Sequence, residues 1–386
     1  MTVEARERPP FAMEQSGLQP TRPETEFIRT FPCAGCGAKL AFAPGTRELR
    51  CEYCGTANQI AENDARVEEL DFETFLTELE GRGETEEAET VRCGKCGAEQ
   101  TLPAHEFANF CAFCRAPVVA RGYANRHLKP KSLVPFQVDR SRAQEAFRRW
   151  VRRLWLAPGD LKRYAQSDAG LDGVYLPYWT FDCSTASDYR GERGDDYYTD
   201  ETITTRTSAG ETVTQTRRVK HTRWSPASGH VDALHDDVLV MASKSLPEAI
   251  LGAAARFDLK GLVPYQPDFV SGFRAEAYQL GLREAFPVAR RAIDATVDAL
   301  VRRDIGGDQQ RVHAVSTRYD AVTFKHVLLP VWISAYRYRD KVYRFLINGQ
   351  TGEVSGESPK SWWKIALLVL GVLAVLFLLL VVAGGK

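Results

Sequence analysis

Eight of the nine cysteines fall into four Cys-x-x-Cys pairs: Cys33/Cys36, Cys51/Cys54, Cys93/Cys96 and Cys111/Cys114. Fourteen residues separate Cys36 from Cys51, and the same number separates Cys96 from Cys111. Each cysteine of the second quartet lies 60 positions after its counterpart in the first, so the chain carries a tandem repeat of one small unit. Two residues between cysteines let a tight turn aim both sulfurs at one point, and two such turns supply four thiolates to a tetrahedral Zn²⁺. Two structural Zn²⁺ ions are therefore expected, held by Cys33, Cys36, Cys51 and Cys54 and by Cys93, Cys96, Cys111 and Cys114. A closed four-sulfur shell leaves no open coordination position, so the metal is expected to fold the chain and not to catalyse.

The competing readings of the cysteines are disulfides or a redox dithiol. The repeated spacing argues against them, as does the lack of an N-terminal signal peptide, which places the thiols in a reducing cytosol. Gly37, Gly55 and Gly97 follow three of the four pairs, where the turn needs positive φ; Arg115 fills that place in the fourth. His105-Glu106 opens like a zinc-protease helix, but position 109 is Asn, and the motif fails. Cys183 stands outside the quartets and reads as a core thiol. His235-Asp236-Asp237 and the acidic group Asp195, Asp196, Asp200 and Glu201 have oxygen and nitrogen donors but match no metal loop. Phosphate loops, dinucleotide fingerprints and nucleophile elbows are missing, so no catalytic residue is expected and the chain reads as a non-enzyme.

Each cysteine unit, at about 30 residues, is too small to bury a useful core, so metal must supply most of its folding energy. Lys39–Phe42 and Glu48–Arg50 read as a short hairpin around Pro44-Gly45-Thr46. The expected organisation is a disordered tail over 1–28, ribbon one over 29–60, an acidic helical linker over 61–90 and ribbon two over 91–122. An α+β body with mainly antiparallel strands follows over 123–357, then a juxtamembrane segment over 358–364 and a helix over 365–383. The fold class is thus multidomain.

Net charge is zero, yet the charges are segregated. Residues 61–90 hold twelve acids against Arg66 and Arg82, and residues 115–163 hold thirteen bases against Asp139, Glu145 and Asp160. The linker helix carries an apolar stripe of Val67, Leu70, Phe75, Leu76 and Leu79. A second helix starts near Ser141 with Gln144 at capping-box spacing; Phe147, Trp150, Val151 and Leu154 form its apolar face. Arg148, Arg149, Arg152 and Arg153 occupy the rest and are candidate anion-binding residues. Val174–Phe181 reads as a strand, Thr202–Thr207 and Thr212–Val219 as a polar, solvent-facing hairpin, and Gln310–Thr317, Val322–His326, Val327–Tyr338 and Lys341–Ile347 as the last strands. Leu133–Phe136 echoes Leu262–Tyr265, and Leu176–Trp179 echoes Leu329–Trp332, which divides the body into related halves over 123–244 and 245–357.

The uncharged run over 365–383 is roughly 28 Å long as a helix, close to the thickness of a bilayer's hydrocarbon. Trp362, Trp363 and Lys364 precede it as membrane-interface residues. The expectation is a tail-anchored, single-pass protein of the inner membrane, contacting lipid through this span, with its other domains in the cytoplasm.

The eight ribbon cysteines, Leu128–Phe136, Leu176–Phe181 and the C-terminal run together resemble a family of bacterial membrane-anchored double-zinc-ribbon proteins, often labelled after primosomal-helicase zinc ribbons. Members of similar architecture accompany phage-shock-type membrane-stress proteins and flotillin-like or virion-core-like proteins. The resemblance implies a scaffold that recruits cytoplasmic proteins of those kinds to the inner membrane in an envelope-stress response. The alternative is a membrane-tethered nucleic-acid binder using ribbon two, Arg121, Arg126, Lys129, Lys131 and the Arg148–Arg153 face.

Overall fold

The computed structural model describes residues 33–384, apart from 39, 64, 83–84, 94–95, 102–107, 114–116, 120–122, 129, 162–169, 207–211, 277 and 339–340. The expected tail over 1–28, Cys114, His105-Glu106 and the turn at Ala209-Gly210 lie outside the described residues.

Ribbon one is a three-stranded antiparallel sheet of β1 (Leu40–Phe42), β2 (Glu48–Cys51) and β3 (Ala57–Gln59), in that order. Period-two alternation sends Leu40 and Phe42 to one side, where they are buried with Leu49 and Ile60. They do not form a core of their own. Phe42 packs edge-on against Phe269, with ring centroids 5.2 Å apart, and the Phe42 amide donates to the carbonyl of Ser271 at 3.0 Å. The Ser271 hydroxyl donates to the carbonyl of Leu40 at 2.6 Å, and the Gly45 amide donates to that of Phe136 at 2.9 Å.

The linker lies flat on the body. β4 (Leu70–Asp71) adds two residues to the edge of a body strand, pairing with Thr323 and Phe324. α1 (Phe72–Arg82) follows, with Asp71 Oδ1 accepting from the Thr74 amide at 2.8 Å as its cap. Phe72 is buried against Phe181, Phe286 and Phe324. Lys325, itself buried, ties the strap down: its Nζ lies 3.1 Å from Glu69, 2.8 Å from Asp237 and 3.5 Å from Asp182.

Ribbon two comprises β5 (Thr85–Arg92), β6 (Glu99–Thr101), β7 (Ala108–Phe110), β8 (Pro117–Val119) and β9 (Tyr123–Leu128), with β6-β5-β9 in one sheet and β7-β8 in another. Ala98, Ala112 and Phe113 are fully buried in one cluster with Val174, Leu176, Tyr178, Val327 and Leu329 of the body.

The body runs β10 (Ser132–Leu133), α2 (Arg140–Arg153), β11 (Asp172–Arg206) and β12 (Thr212–Met241), then α3 (Glu248–Leu251), β13 (Val263–Pro264), α4 (Pro267–Val270), β14 (Arg274–Ala275), α5 (Leu282–Ile305), β15 (Gln309–Tyr338), β16 (Lys341–Asn348) and β17 (Val354–Gly356). Through the middle of the large sheet β12, β11, β15 and β16 lie side by side and antiparallel. The segments read as several short strands are continuous: β11 has 35 residues and β12 and β15 have 30 each. The expected polar hairpin is the far end of an arm that is three-stranded as far as Gly194 and two-stranded beyond it. On the arm Phe181, Cys183, Thr185, Ser187 and Tyr189 alternate inward, and α5 lies over them with Ile293, Val297, Val301 and Ile305 spaced one turn apart.

At the root of the arm Leu176 pairs directly with Leu329, the residues matched by the sequence echo. Phe136 is fully buried there, stacked on Phe273 at 4.2 Å and packed against Trp332 and Tyr175 at 5.1 and 5.2 Å. Phe136→Ala is expected to cost about 3–5 kcal/mol, read from the urea unfolding midpoint, because three rings lose their common neighbour.

Three expectations are corrected. The structure is mostly antiparallel sheet with few helices, and the ribbons share the body's core clusters instead of standing as separate domains. The reason is that a unit of this size has no interior of its own, so its apolar side chains find one in the body. In α2 the cap is Asp139, accepting from the Arg142 amide at 2.9 Å, while Ser141 donates its hydroxyl to Asp139 at 2.7 Å. Third, among the described residues no helix is long and apolar enough to cross a membrane. α6 (Trp362–Gly384) forms where the apolar run lies in the sequence. The span over 365–383 is overturned, and with it the tail-anchored, single-pass placement in the inner membrane. The described leucines of α6 from Leu367 to Leu380 are exposed.

Candidate metal centres

In ribbon one the four sulfurs converge. All four ligand atoms lie within 4.8 Å of one another, with Cys33 Sγ 3.4 Å from Cys54 Sγ and Cys36 Sγ 3.6 Å from Cys51 Sγ. Four thiolates about 2.3 Å from one zinc ion sit roughly 3.8 Å apart, so the cluster has the dimensions of a tetrahedral site. In ribbon two Cys93, Cys96 and Cys111 converge likewise, with Cys96 Sγ 3.6 Å from Cys111 Sγ. Both cysteine clusters can hold zinc.

The backbone explains the convergence. The Gly37 amide donates to the carbonyl of Cys33 at 2.8 Å, and the Cys33 amide donates to that of Ala38 at 2.6 Å. The same two bonds recur from Gly55 to Cys51 and from Cys51 to Thr56, and again from Gly97 to Cys93 and from Cys93 to Ala98. Closing this loop takes φ values of 72°, 74° and 74° at Gly37, Gly55 and Gly97, a region where a Cβ is strained.

The electrostatics are those of crowded thiols. Cys54 is lowered to about 6, first by the Thr56 hydroxyl, which lies 3.1 Å from its sulfur. Cys33 is lowered chiefly by the Gly35 amide, 3.3 Å from its sulfur. Cys36 is pushed up to about 12: the Ala38 amide pulls it down, and the sulfurs of Cys54 and Cys51 outweigh that pull. Two sulfurs are shifted down beside one shifted up, an arrangement that a divalent cation resolves by favouring the thiolate at each of its ligands.

The two sites differ in access. Cys36 and Cys54 are exposed in ribbon one, whereas Cys93 and Cys111 are buried and Cys96 half-buried in ribbon two. A chelator is therefore expected to strip ribbon one first, in a biphasic release with the slow phase at least tenfold slower. Stopped-flow detection with a metallochromic dye reads both phases, and Cys51→Ser should delete the fast one.

Other expected residues fall elsewhere. Arg148, Arg149, Arg152 and Arg153 are exposed on α2, whose opposite face buries Phe147 and Val151 against the body. Trp362 and Trp363 are exposed, and Lys364 turns inward, donating to the carbonyls of Trp155 and Ala157 at 3.0 and 2.7 Å. Of the acidic group, Asp196 is taken by Lys220 at 2.6 Å. Asp182, Asp236 and Asp237 come together, but Lys325 is the cation among them.

One polar cluster escaped sequence reading. Glu276 is 2% exposed, beside ribbon two. Its Oε1 accepts from the hydroxyls of Ser243, at 2.8 Å, and Ser245, while Oε2 has no partner among the described residues. Nearby, Gln279 Nε2 donates to the carbonyl of Gly97 at 3.4 Å, joining this cluster to the zinc knuckle. Nothing in the spacing around Glu276 marks it as buried.

The geometry thus defines a protein built on a large antiparallel sheet, with two cysteine clusters able to hold zinc. No family model matches the chain, and no solved structure matches it. It is 27% identical over 362 residues to the uncharacterized protein YdjG of Bacillus subtilis (strain 168), covering 92% of this chain and 96% of that protein. None of these comparisons carries the resemblance to zinc-ribbon proteins of membrane-stress systems.

Proposed function

We propose that this protein is a non-enzymatic scaffold that recruits partner proteins, with two structural Zn²⁺ ions fixing the recruiting surfaces. The observation that supports this reading is the orientation of ribbon one. Its apolar side is spent on the body, which leaves the knuckle around Cys54 turned outward with Tyr53 85% exposed. An exposed aromatic on a metal-stiffened loop is a low-entropy anchor for a protein partner. Resemblance to double-zinc-ribbon proteins points to phage-shock-like or flotillin-like partners, and the fourth ligand of the second ion is Cys114.

Crosslinking in cells followed by purification tests the reading, comparing the native chain with Tyr53→Ala and with Cys93→Ser/Cys96→Ser. Tyr53→Ala keeps both zinc ions and is expected to lose at least one partner that the native chain captures. A partner set unchanged in both variants overturns the recruiting role.

A second reading, nucleic-acid binding, is favoured by the exposed Arg148, Arg149, Arg152 and Arg153, none of which is in an ion pair among the described residues. It calls for affinity that falls steeply with salt. Filter binding to mixed DNA and RNA at low salt decides it, and no retention removes the reading.

A further inference from the structure

β12 is the outermost strand of the large sheet, paired with β11 on one side and with no strand on the other among the described residues. Such an edge presents a row of backbone N–H and C=O groups that only water or another strand can satisfy. Along β12 itself the charges are also segregated, while on the neighbouring β11 Glu201, Asp200 and Asp195 stand opposite Arg217, Arg218 and Arg223. Arg217, Arg218, Lys220 and Arg223 lie in the first half of β12 with no acid among them, and Asp232, Asp236 and Asp237 lie in its second half with no Lys or Arg. Arg217, Arg218, Arg223, Asp232 and Asp236 are exposed.

We propose that the β12 edge docks β12 of a second copy of this chain, the two strands antiparallel about a two-fold axis near Pro226-Ala227. That arrangement sets the basic half of each copy beside the acidic half of the other, whereas parallel pairing sets like charge on like. Centred on position 227, it lays Arg218 opposite Asp236 and Trp224 opposite His230. Leu234, which is 86% exposed, then lies against the stem of Lys220.

Pro226 fits this placement. A proline is tolerated in an edge strand when its nitrogen faces away from the neighbouring strand. Position 226 and the other even positions of β12 as far as the bulge at Asp236-Asp237 therefore direct their backbone groups outward, and both partners of an integer-centred pairing within that stretch have the parity that ladder bonds need. The missing N–H removes one donor per copy at the centre and leaves the stretches on either side intact. It also discourages addition of an arbitrary strand, so association depends on the charge match.

The proposal does not rest on the recruiting role, and its test reads association alone. Sedimentation velocity is run on the full chain in neutral detergent, because α6 exposes a row of leucines. The expected result is a dimer whose dissociation constant rises at least tenfold from about 0.05 to about 0.5 M salt. Arg217→Glu/Arg218→Glu and, separately, Asp232→Lys/Asp236→Lys each weaken it at least tenfold, with circular dichroism and zinc content unchanged. An equimolar mixture of the two variants restores association, since each reversed half then faces an opposite one. A monomer at every concentration, a dimer indifferent to both reversals, or a mixture that stays dissociated overturns the proposal.

Discussion

Replacing Cys51 with serine is expected to remove one zinc ion per chain and to lower the melting temperature of the whole protein by more than about 10 °C. Cys51 is 1% exposed, pairs with Leu40 across β1 and β2, and closes the second knuckle through both its amide and its carbonyl. Structural zinc binding is worth on the order of 10 kcal/mol at neutral pH. Its loss releases Leu40, Phe42, Leu49 and Ile60 from a cluster that includes Phe136, Tyr175, Phe269 and Trp332. Damage to the ribbon therefore becomes damage to the body. Elemental analysis reads the zinc, and tryptophan fluorescence reads the unfolding of the body, where Trp179 and Trp332 are buried. A variant with one zinc fewer and an unshifted body transition would show that the ribbon is a detachable module and that its packing contributes nothing.

Glu276→Gln is expected to stabilise the protein, and increasingly so as pH rises. Burial pushes the Glu276 carboxyl up to about 8; the Ser245 and Ser243 hydroxyls pull it down, and the Cys96 and Glu99 charges push it further up. The folded state thus keeps this proton to about pH 8, while the unfolded chain releases it near the ordinary glutamate value. The stability contributed by the proton is whole below about pH 4.5 and drains away as pH climbs to 8, a change on the order of 5 kcal/mol. A glutamine cannot ionise, so the advantage of the variant should grow from pH 6 to 8 and level off above. Urea midpoints at four pH values from 6 to 9 measure it, in a range where thiolate ligands stay bound to zinc. Parallel curves for the two proteins would mean that the carboxyl is ionised throughout.

The cysteine spacing was legible because metal geometry dictates it residue by residue, and the three described knuckles show the turn that the glycines at 37, 55 and 97 predicted. The amphipathic face of α2 was legible for a similar reason: Phe147 and Val151 repeat at helical period and are buried. Strand length was not. The far part of β11 and β12 is rich in threonine and charge, and polar alternation marks strand without marking where one strand stops. The docking of the ribbons was hidden too, since Leu40 and Phe42 look the same whether they cover each other or Phe269. Glu276 and Lys325 were invisible because burial of a charge is decided by elements remote in the chain: Ser243 and Ser245 for one, Glu69 and Asp237 for the other.

From Phe181 to Arg206 the arm runs about 80 Å at the usual strand rise. Its root is clamped between the two cysteine-cluster units and α5 lies along its near part, so the arm sets Arg206 at a fixed distance from both clusters. Under the proposed recruiting role, a protein held near Arg206 would stand at a set separation from one held at a cysteine knuckle, too far apart for two small domains to touch. Shortening β11 and β12 by matched pairs of residues would change that spacing in steps of about 7 Å per pair, without altering either grip.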